Sequence, residues 1–313
     1  MSHMRTDVMD IVLVNRNTRD QLLAALDTVF AEVPGQVVVV DNGSSDGSAE
    51  AVRERFPEVQ VIVRTDNPGY GAGANQGIAA CRAPFVLALN SDALLRPGTL
   101  AALSSYLEDH PRAGVVGPRL VNPDGTLQHS CFPFLGSFQM IVEKSPLGRL
   151  LARVPPVRER WLLRWSSHDR PRVVPWLLGA ALAFRREAFD QVSGFDGSFF
   201  MYGDEVDLCW RLREAGWECH FAPVATVMHV GGVSTAAVRA EMELRRIDSS
   251  RRFYRLHYSR GHVAALEAMI RAAMAARWLR DTLRLRLERE PARRGRLAED
   301  LAVWQRALRG GRP

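Results

Sequence analysis

The sequence predicts an α/β fold in which a mostly parallel, doubly wound sheet carries helices on both faces. Short apolar, β-branched runs recur along the first part of the chain, and helical patterns separate them, which is typical of strands buried on both faces. Polar clusters also follow the strands at their carboxyl ends. The runs are Met9 to Val14, Val37 to Val40, Val59 to Val63, Phe85 to Leu89 and Gly114 to Val116.

Local signals place the first helices between these strands. The first helix is expected to start at Thr18, where Gln21 completes a capping box, and to stop before Pro34-Gly35. The second follows Asp46-Gly47, and the fourth begins at Pro97 because proline suits a first helical turn.

The pattern changes after Pro118, and residues 132–172 mix Pro, Gly, Trp and Arg without periodicity, which we interpret as a mobile insertion. From Ala237 onward the chain indicates helices, broken near Gly261 and at Pro291. We therefore predict an α/β domain over 7–258 and a helical extension over 259–313. Between them we expect a strand at Trp176 to Phe184, helices at Arg186 to Val192 and Glu205 to Ala215, and short strands at Glu218 to Phe221 and Thr226 to His229.

Composition is that of an ordinary globular protein, with 47% hydrophobic and 24% charged residues among 313. The four cysteines form no metal or disulfide pattern, and no apolar run is long enough to span a bilayer, so we expect a cytoplasmic protein. The net charge of +6 is concentrated after Tyr258 and suits an anionic partner such as a phosphate or a lipid headgroup. Nucleic acid is not expected as a partner.

Four polar clusters should meet at one edge of the sheet, because ligands of open α/β sheets bind outside the carboxyl ends of the strands. They begin at Asn15, which follows Val14, then at Asp41, at Asn67 and at Asn90. Asp41 could accept from a nucleobase or ribose, whereas the residues from Asn42 to Asp46 are better explained as a turn and a helix cap.

The loop after the third strand is rich in glycine. Gly69 and Gly71 allow backbone amides to approach a phosphate at the start of a helix, on which Asn75 would lie. With Ala74 they also satisfy the dinucleotide fingerprint G-x-G-x-x-A, so a nicotinamide oxidoreductase is an alternative. That fingerprint normally follows the first strand, and here the loop after the first strand has no glycine.

Asn90-Ser91-Asp92 places a carboxylate where a divalent cation, Mg²⁺ or Mn²⁺, could bridge it to a diphosphate. One carboxylate is a minimal metal site, so substrate phosphates and a second protein ligand must complete it. His229, at the end of a late strand, is the candidate for that ligand, although a lone histidine is more often structural.

The stretch from Phe199 to Arg211 holds three carboxylates in four residues, at Asp204, Glu205 and Asp207, after an aromatic lead-in. Acids at a helix start ordinarily complement the helix dipole, but partial burial would raise the pKa of a carboxyl toward that of a useful general base. Arg211 could pair with one of these acids or with a phosphate.

Taken together, these residues resemble family 2 glycosyltransferases with the GT-A fold, in the rhamnosyltransferase-like branch that builds bacterial polysaccharides. The likeness extends from about Val8 to about Tyr258. It rests on Val39-Val40-Asp41-Asn42-Gly43-Ser44-Ser45-Asp46-Gly47, on Asn67-Pro68-Gly69-Tyr70-Gly71 with Asn75, on Leu89-Asn90-Ser91-Asp92, on Gly194-Phe195-Asp196 and on the Phe199 to Arg211 stretch.

The resemblance implies an inverting enzyme that uses a dTDP- or UDP-sugar, with L-rhamnose as the best guess, and a hydroxyl acceptor on a glycan, a lipid carrier or a small molecule. It places the nucleobase on Asp41 and the metal motif at Asn90-Ser91-Asp92, and it makes 132–172 an acceptor-side insertion. The family's base is the second acid of a Glu-Asp pair. Here the order is reversed, so alignment favours Glu205 and residue type favours Asp204; we choose Glu205 with Asp204 in support.

The same resemblance puts Trp176, Gly179 and Ala180 beside the donor sugar or the acceptor, where Trp176 could stack on a sugar ring or simply belong to the core. The arginine-rich helices from Arg251 to Arg286 could lie on the inner face of the plasma membrane or form a homodimer, but most such stripes pack within their own protein. Because the acid order is reversed, a catalytically weak pseudoenzyme is a further alternative.

Overall fold

The computed structural model describes residues 9–163, 166–231 and 239–308. Residues 7 and 8, Gly232 and the predicted helix start at Ala237 lie outside the described residues. The described chain forms two compact units, one from residues 9–200 and 204–231 and the other from 201–203 and 239–308. The units therefore divide before residue 239, whereas the sequence analysis placed the division at 258.

The first half alternates strands and helices as predicted. Its strands are β1 (Met9–Asn15), β2 (Val37–Asp41), β3 (Gln60–Val63), β4 (Phe85–Asn90), β5 (Ala93–Leu95) and β6 (Ala113–Val121). Its helices are α1 (Arg19–Phe30), α2 (Ser48–Arg55), α3 (Tyr70–Ala80) and α4 (Thr99–Asp109). The strands β1 and β2 are buried almost throughout, which explains their unbroken apolar runs.

The second half is less regular. It contains β7 (Leu127–Gln128), β8 (Cys131–Phe132), α5 (Phe138–Lys144), α6 (Pro146–Leu151), α7 (Pro155–Trp161), β9 (Arg172–Val173), β10 (Trp176–Leu177), β11 (Ala181–Arg185), α8 (Arg186–Gln191), α9 (Asp204–Glu214) and β12 (Glu218–His229). Three short helices thus occupy the stretch for which the sequence showed no pattern; its mobility stays a prediction.

Among the described residues, ten strands form the central sheet, in the order β3-β2-β1-β4-β11-β6-β12-β5, with β7 beside β6 and β9 beside β12. The strands β1 to β4 pair in parallel, and β6 with β12, while β11 and β5 run antiparallel to their neighbours. The pair β8 and β10 forms a separate small sheet. The core lies between the central sheet and its helices.

One predicted helix cap and one predicted helix start differ from those in the structure. Helix α1 starts where predicted, with Thr18 as its N-cap, but the Thr18 hydroxyl donates to Asn15 Oδ1 at 2.7 Å and makes no capping hydrogen bond, so the capping box with Gln21 is wrong. Helix α4 begins at Thr99 rather than at Pro97, because Glu32 accepts from the amides of the two residues flanking Thr99, at 2.6 and 2.9 Å.

Two predicted strand boundaries also change. The strand predicted from Trp176 to Phe184 is interrupted, because β10 pairs with β8 and the chain then turns at Gly179 and joins β4 as β11. The two strands predicted at Glu218 and Thr226 are one strand, β12, whose register shifts between Phe221 and Thr226. A bulge there accommodates Pro223, which has no N–H to donate.

The second unit consists of α10 (Arg239–His257), α11 (Arg260–Leu287) and α12 (Pro291–Leu308). The break between α10 and α11 comes at Ser259, whose hydroxyl caps α11, and Gly261 lies inside the first turn. Apolar residues of α11 pack against α10 and α12 in this unit, in agreement with the alternative that such stripes pack within their own protein. The cluster comprises Leu244, Ile247, Met274, Val303, Trp304 and Ala307, with Ile270 and Trp278 against it.

In the described part of the chain, no helix combines the length and the apolar content that crossing a bilayer would require. The four cysteines are buried free thiols.

Candidate active site

The carboxyl ends of β1, β2 and β4 bring the predicted polar residues together. In the sheet register Asn15 lies opposite Asp41, and Val14 lies opposite Asn90. Thr18 extends the connection, because its hydroxyl lies 2.9 Å from that of Ser91. The rim expected from the sequence is therefore continuous from β2 to β4.

Asp41 is buried and holds the rim in shape. Its Oδ2 accepts from Asn15 Nδ2 at 2.9 Å, and its Oδ1 accepts from the Ser44 amide at 2.7 Å. A carboxylate oxygen can accept a second hydrogen bond, so Asp41 retains capacity for a ligand. The turn-and-cap interpretation of the following residues is confirmed, since Asp46 accepts from the Ser48 amide at the start of α2 at 3.1 Å.

Gly69 is required by packing. Its backbone has φ 96° and ψ 175°, a region essentially confined to glycine, and a Cβ there would lie 2.0 Å from the Phe200 carbonyl oxygen. The Tyr70 amide donates to the same oxygen at 3.2 Å. The start of α3 therefore sits directly on the segment that leads into α9.

The glycines one and two turns further along α3 pack it on the sheet. A Cβ on Gly73 would lie 3.0 Å from Val14, and one on Gly77 would lie 2.4 Å from Val12. Close helix-to-strand approach thus explains Gly73 and Gly77, neither of which belongs to the dinucleotide fingerprint.

Asn75 uses its whole side-chain amide on Phe195, donating to its carbonyl at 2.8 Å and accepting from its amide at 2.9 Å. In this structure Asn75 positions the segment before α9. Its predicted contact with a nucleotide stays a prediction, as does that of Asn67, whose Oδ1 lies 3.4 Å from the Gly69 amide.

Asp92 and His229 meet as predicted. His229 Nε2 lies 3.3 Å from Asp92 Oδ1 and 3.3 Å from Asn90 Nδ2. Burial raises the pKa of Asp92, but the His229 hydrogen bond and charge and the Gly231 amide outweigh it and place that pKa below its ordinary value. Asp92 is therefore an ionised carboxylate at neutral pH.

Gln128, on β7, is a site residue that the sequence analysis missed. Its Nε2 donates to Asn122 Oδ1 at 3.1 Å and to the backbone carbonyl oxygen of His229 at 3.3 Å, which leaves its Oε1 to face His229 Nδ1 at 2.8 Å. The network therefore fixes the orientation of the His229 ring, with Nδ1 toward Gln128 and Nε2 toward Asp92. No local sequence pattern marked this contact, because it depends on β7 pairing beside β6.

The side chains of Asp92 and His229 fit a divalent cation as two of its ligands. Their 3.3 Å separation suits adjacent positions around one ion, since ligands about 2.1 Å from a metal at right angles lie about 3 Å apart. Among the described residues no group of three His, Cys, Asp or Glu side chains could hold a metal alone. The remaining ligands would have to come from a substrate diphosphate and water.

The acid pair lies at the start of α9. Asp204 is 3% exposed, Glu205 is less buried, and their side chains are hydrogen-bonded to each other. Burial, followed by the charge of Asp204, raises the pKa of Glu205 well above its ordinary value, and burial raises the pKa of Asp204. The pair can therefore take up a proton under conditions in which ordinary carboxylates cannot.

The pair is held between the glycine loop and the turn that follows β10. A Cβ on Gly71 would lie 3.4 Å from Asp204 Oδ2, and a Cβ on Gly179 would lie 3.7 Å from Glu205 Cβ. The next residue, Ala180, accepts from the Asn90 amide at 2.9 Å. A chain of contacts thus joins the acid pair to the Asp92 rim.

Arg211 and Trp176 have structural partners. Arg211 Nε donates to Asp207 at 2.7 Å, one helical turn away, so the structural alternative has support and the phosphate contact stays a prediction. Trp176 donates to the Pro133 carbonyl at 2.8 Å and stacks on Phe132 with ring centroids 4.7 Å apart. Its contact with a sugar stays a prediction.

The family follows from comparison with known proteins. Residues 8–249 match the family described as Glycosyltransferase like family 2. The chain belongs to this family. The glycosyltransferase is 34% identical over 247 residues to the N-acetylglucosaminyl-diphospho-decaprenol L-rhamnosyltransferase of Mycobacterium tuberculosis, covering 74% of this chain and 78% of the relative. It is also 23% identical to rhamnosyltransferase WbbL of Escherichia coli, covering 70% of this chain and 82% of that one.

The fold has a counterpart among solved structures. The glycosyltransferase superimposes on the mannosyltransferase PcManGT of Pyrobaculum calidifontis, solved with GDP-Man and Mn²⁺, with a TM-score of 0.52 and 20% identity over 96% of this chain and 86% of that one. The GT-A fold is thereby confirmed. The oxidoreductase alternative is not favoured.

Proposed function

We propose that this glycosyltransferase moves a sugar from a dTDP- or UDP-sugar to an acceptor hydroxyl, with inversion at the anomeric carbon and with the help of Mg²⁺ or Mn²⁺. The observation that carries the proposal is the pair of adjacent acids, Asp204 and Glu205, whose pKa values are raised by burial and which Gly179, Ala180 and Asn90 join to the Asp92 rim.

The donor nucleotide is assigned to the rim formed by β1, β2 and β4. Asp41, supported by Asn15, would accept from the base or ribose, and the loop at Gly69 and Gly71 would lie along the phosphates. The support is the placement of these residues at the carboxyl ends of neighbouring parallel strands.

The cation is assigned to Asp92 and His229. When bound there it would neutralise the charge that develops on the departing diphosphate. Ser91 and Asn90 border these ligands, and Gln128 orients the histidine ring. The assignment of the cation is thus supported by the positions of these side chains.

Glu205 is the proposed general base. It is the more accessible acid, and it borders Gly179 on the side where the donor sugar and acceptor are assigned. Its carboxylate takes the proton of the acceptor hydroxyl, whose oxygen bonds to the anomeric carbon as the bond to the diphosphate oxygen breaks on the opposite face. Burial, and after it the charge of Asp204, raises the pKa of Glu205.

L-rhamnose on a lipid-linked acceptor is the proposed specificity. It is supported by the name of the mycobacterial relative, an L-rhamnosyltransferase acting on N-acetylglucosaminyl-diphospho-decaprenol. A panel of nucleotide sugars, screened for metal-dependent hydrolysis and then for transfer to polyprenyl-diphosphate sugars, tests this specificity.

Thermal shift tests the reaction class. Stabilisation by dTDP or UDP together with Mn²⁺, and none by NAD(P), is expected; stabilisation by NAD(P) alone would contradict the proposal. For the base, Glu205→Gln should lower kcat by about 10²- to 10⁴-fold while donor binding is retained. If Asp204→Asn abolishes turnover and Glu205→Gln does not, the base is Asp204.

A further inference from the structure

The insertion between β8 and β9 exposes large apolar side chains. Phe138 is 70% exposed, Leu147 54%, Leu150 58%, Val154 46% and Trp161 44%. We call these five residues the apolar face of the insertion. A concentration of bulky exposed residues in so short a segment marks an interaction site more often than chance.

The exposure of these side chains does not mean that the insertion has no core. The insertion buries other residues of its own, including Val142, Leu162 and Leu163, at 8% exposure or less. On the exposed side, Phe138 and Trp161 contact each other across two helices, with ring centroids 6.4 Å apart. Leu147 and Leu150 are three residues apart on α6 and therefore share its outer face.

Positive charge accompanies the apolar face. Arg149 on α6, Arg153 between α6 and α7, and Arg160 on α7 are exposed. The acids of this segment offset them only in part: Glu143 is 3% exposed, Glu159 is half-buried and bonded to Arg158 at 2.9 Å, and the exposed Asp169 lies 4.0 Å from the exposed Arg170. The surface is therefore both apolar and cationic.

The insertion is fastened to the helix that carries the acid pair. Phe134, just before α5, packs edge-on against Trp210 of α9, with ring centroids 4.8 Å apart, and the Arg213 guanidinium lies 4.8 Å from both rings. Whatever the apolar face binds is thus held beside the proposed acceptor side of the site.

We propose that the apolar face of the insertion docks on an anionic phospholipid bilayer, with its arginines among the headgroups and its apolar side chains at the acyl boundary. This combination is what interfacial segments use, since apolar burial and attraction to anionic lipid act together. The inference goes beyond the proposed sugar transfer. Only its functional use rests on the proposed function: a protein docked on the bilayer would meet a lipid-linked acceptor at the lipid carrier.

The C-terminal helix α11 offers a matched control. It is also rich in arginine, and Leu279 and Leu283 are 55% and 51% exposed, comparable to the insertion. Its residues Ile270, Met274 and Trp278, however, pack against the other helices of its own unit. The membrane contact first assigned to the C-terminal helices is therefore proposed for the insertion.

The test is sedimentation of the full chain with phosphatidylcholine vesicles, with and without phosphatidylglycerol. The variant Phe138→Ser/Leu147→Ser/Leu150→Ser should bind anionic vesicles at least about tenfold more weakly than the unaltered chain. Arg149→Gln/Arg153→Gln should weaken binding about 30-fold, about fivefold for each arginine, and only when phosphatidylglycerol is present. Leu279→Ser/Leu283→Ser should bind like the unaltered chain.

Thermal unfolding shows whether the exposed substitutions leave the fold intact, and an unchanged Tm is expected. The proposal is overturned if the unaltered chain does not sediment with anionic vesicles. It is also overturned if the insertion variants sediment like the unaltered chain while the α11 variant no longer sediments with the vesicles. Donor hydrolysis without acceptor, measured on the same samples, keeps the two proposals apart. Vesicle binding without any hydrolysis would contradict the proposed function and leave this inference standing.

Discussion

Gly69→Ala should destabilise the catalytic unit far more than a glycine replacement with positive φ alone. At φ 96° and ψ 175° a non-glycine residue costs about 1 to 3 kcal/mol. The added Cβ would also lie 2.0 Å from the Phe200 carbonyl oxygen, a backbone atom that no rotamer change can move, and overpacking of this kind adds about 1 to 3 kcal/mol. The expected loss is about 2 to 6 kcal/mol, a large part of the about 5 to 15 kcal/mol that stabilises a domain.

Gly47→Ala is the matched control. Gly47 also has positive φ, 77°, but nothing lies within 4 Å of its added Cβ, so only the left-handed backbone cost of about 1 to 2 kcal/mol applies. Urea unfolding of both variants measures the difference. Equal losses for Gly69→Ala and Gly47→Ala would refute the close approach to Phe200. In the folded fraction of Gly69→Ala, kcat should also fall, because Phe200 leads directly into Asp204.

Three further predictions concern protons and metal. Because the Asp204 charge raises the pKa of Glu205, Asp204→Asn should move the rising limb of the pH–rate profile to lower pH, and an unmoved limb would contradict the coupling. Because burial raises the pKa of Glu205 in the folded state, the free energy of unfolding falls as pH rises through that pKa. Glu205→Gln should therefore unfold at an equal or higher temperature at neutral pH. Gln128→Leu should weaken Mn²⁺ binding in the presence of UDP by about 10- to 100-fold, because it removes the hydrogen bond that orients the His229 ring. Calorimetry measures this effect, with Gln191→Leu as a control that removes only the bond to Trp217; equal Mn²⁺ affinity in the two variants would remove Gln128 from the site.

Local patterns predicted the parts of the fold that depend on burial on both faces. The strands β1, β2 and β4 were evident because nearly every side chain before their carboxyl ends is apolar, and Asn15, Asp41 and Asn90 then fell at one edge by the rule of parallel strands. The meeting of Asp92 with His229 needed the family resemblance, since nothing local to a lone histidine indicates its partner.

The remaining features depend on contacts between distant segments. The break at Gly179 arises because β10 and β11 have different partners, and the start of α4 is set by Glu32, which lies just after α1. The Gln128 contact requires β7 to lie beside β6 and so brings a side chain from a two-residue strand to β12. No periodicity in the chain encodes such pairings.

Helix α9 and strand β12 follow one another with only a short turn between them, so the proposed base and the proposed metal ligand stand at the two ends of a single continuous stretch, residues 204–229. If β12 slipped by one residue against β6, each β12 side chain would move to the other face of the sheet and His229 would be carried away from Asp92. The pairing of β12 is therefore the constraint on this stretch. Residues 133–171, which leave and rejoin the fold at short outlying strands, are under no such constraint. A designer seeking a new acceptor would exchange that block whole and leave 204–229 at its native length.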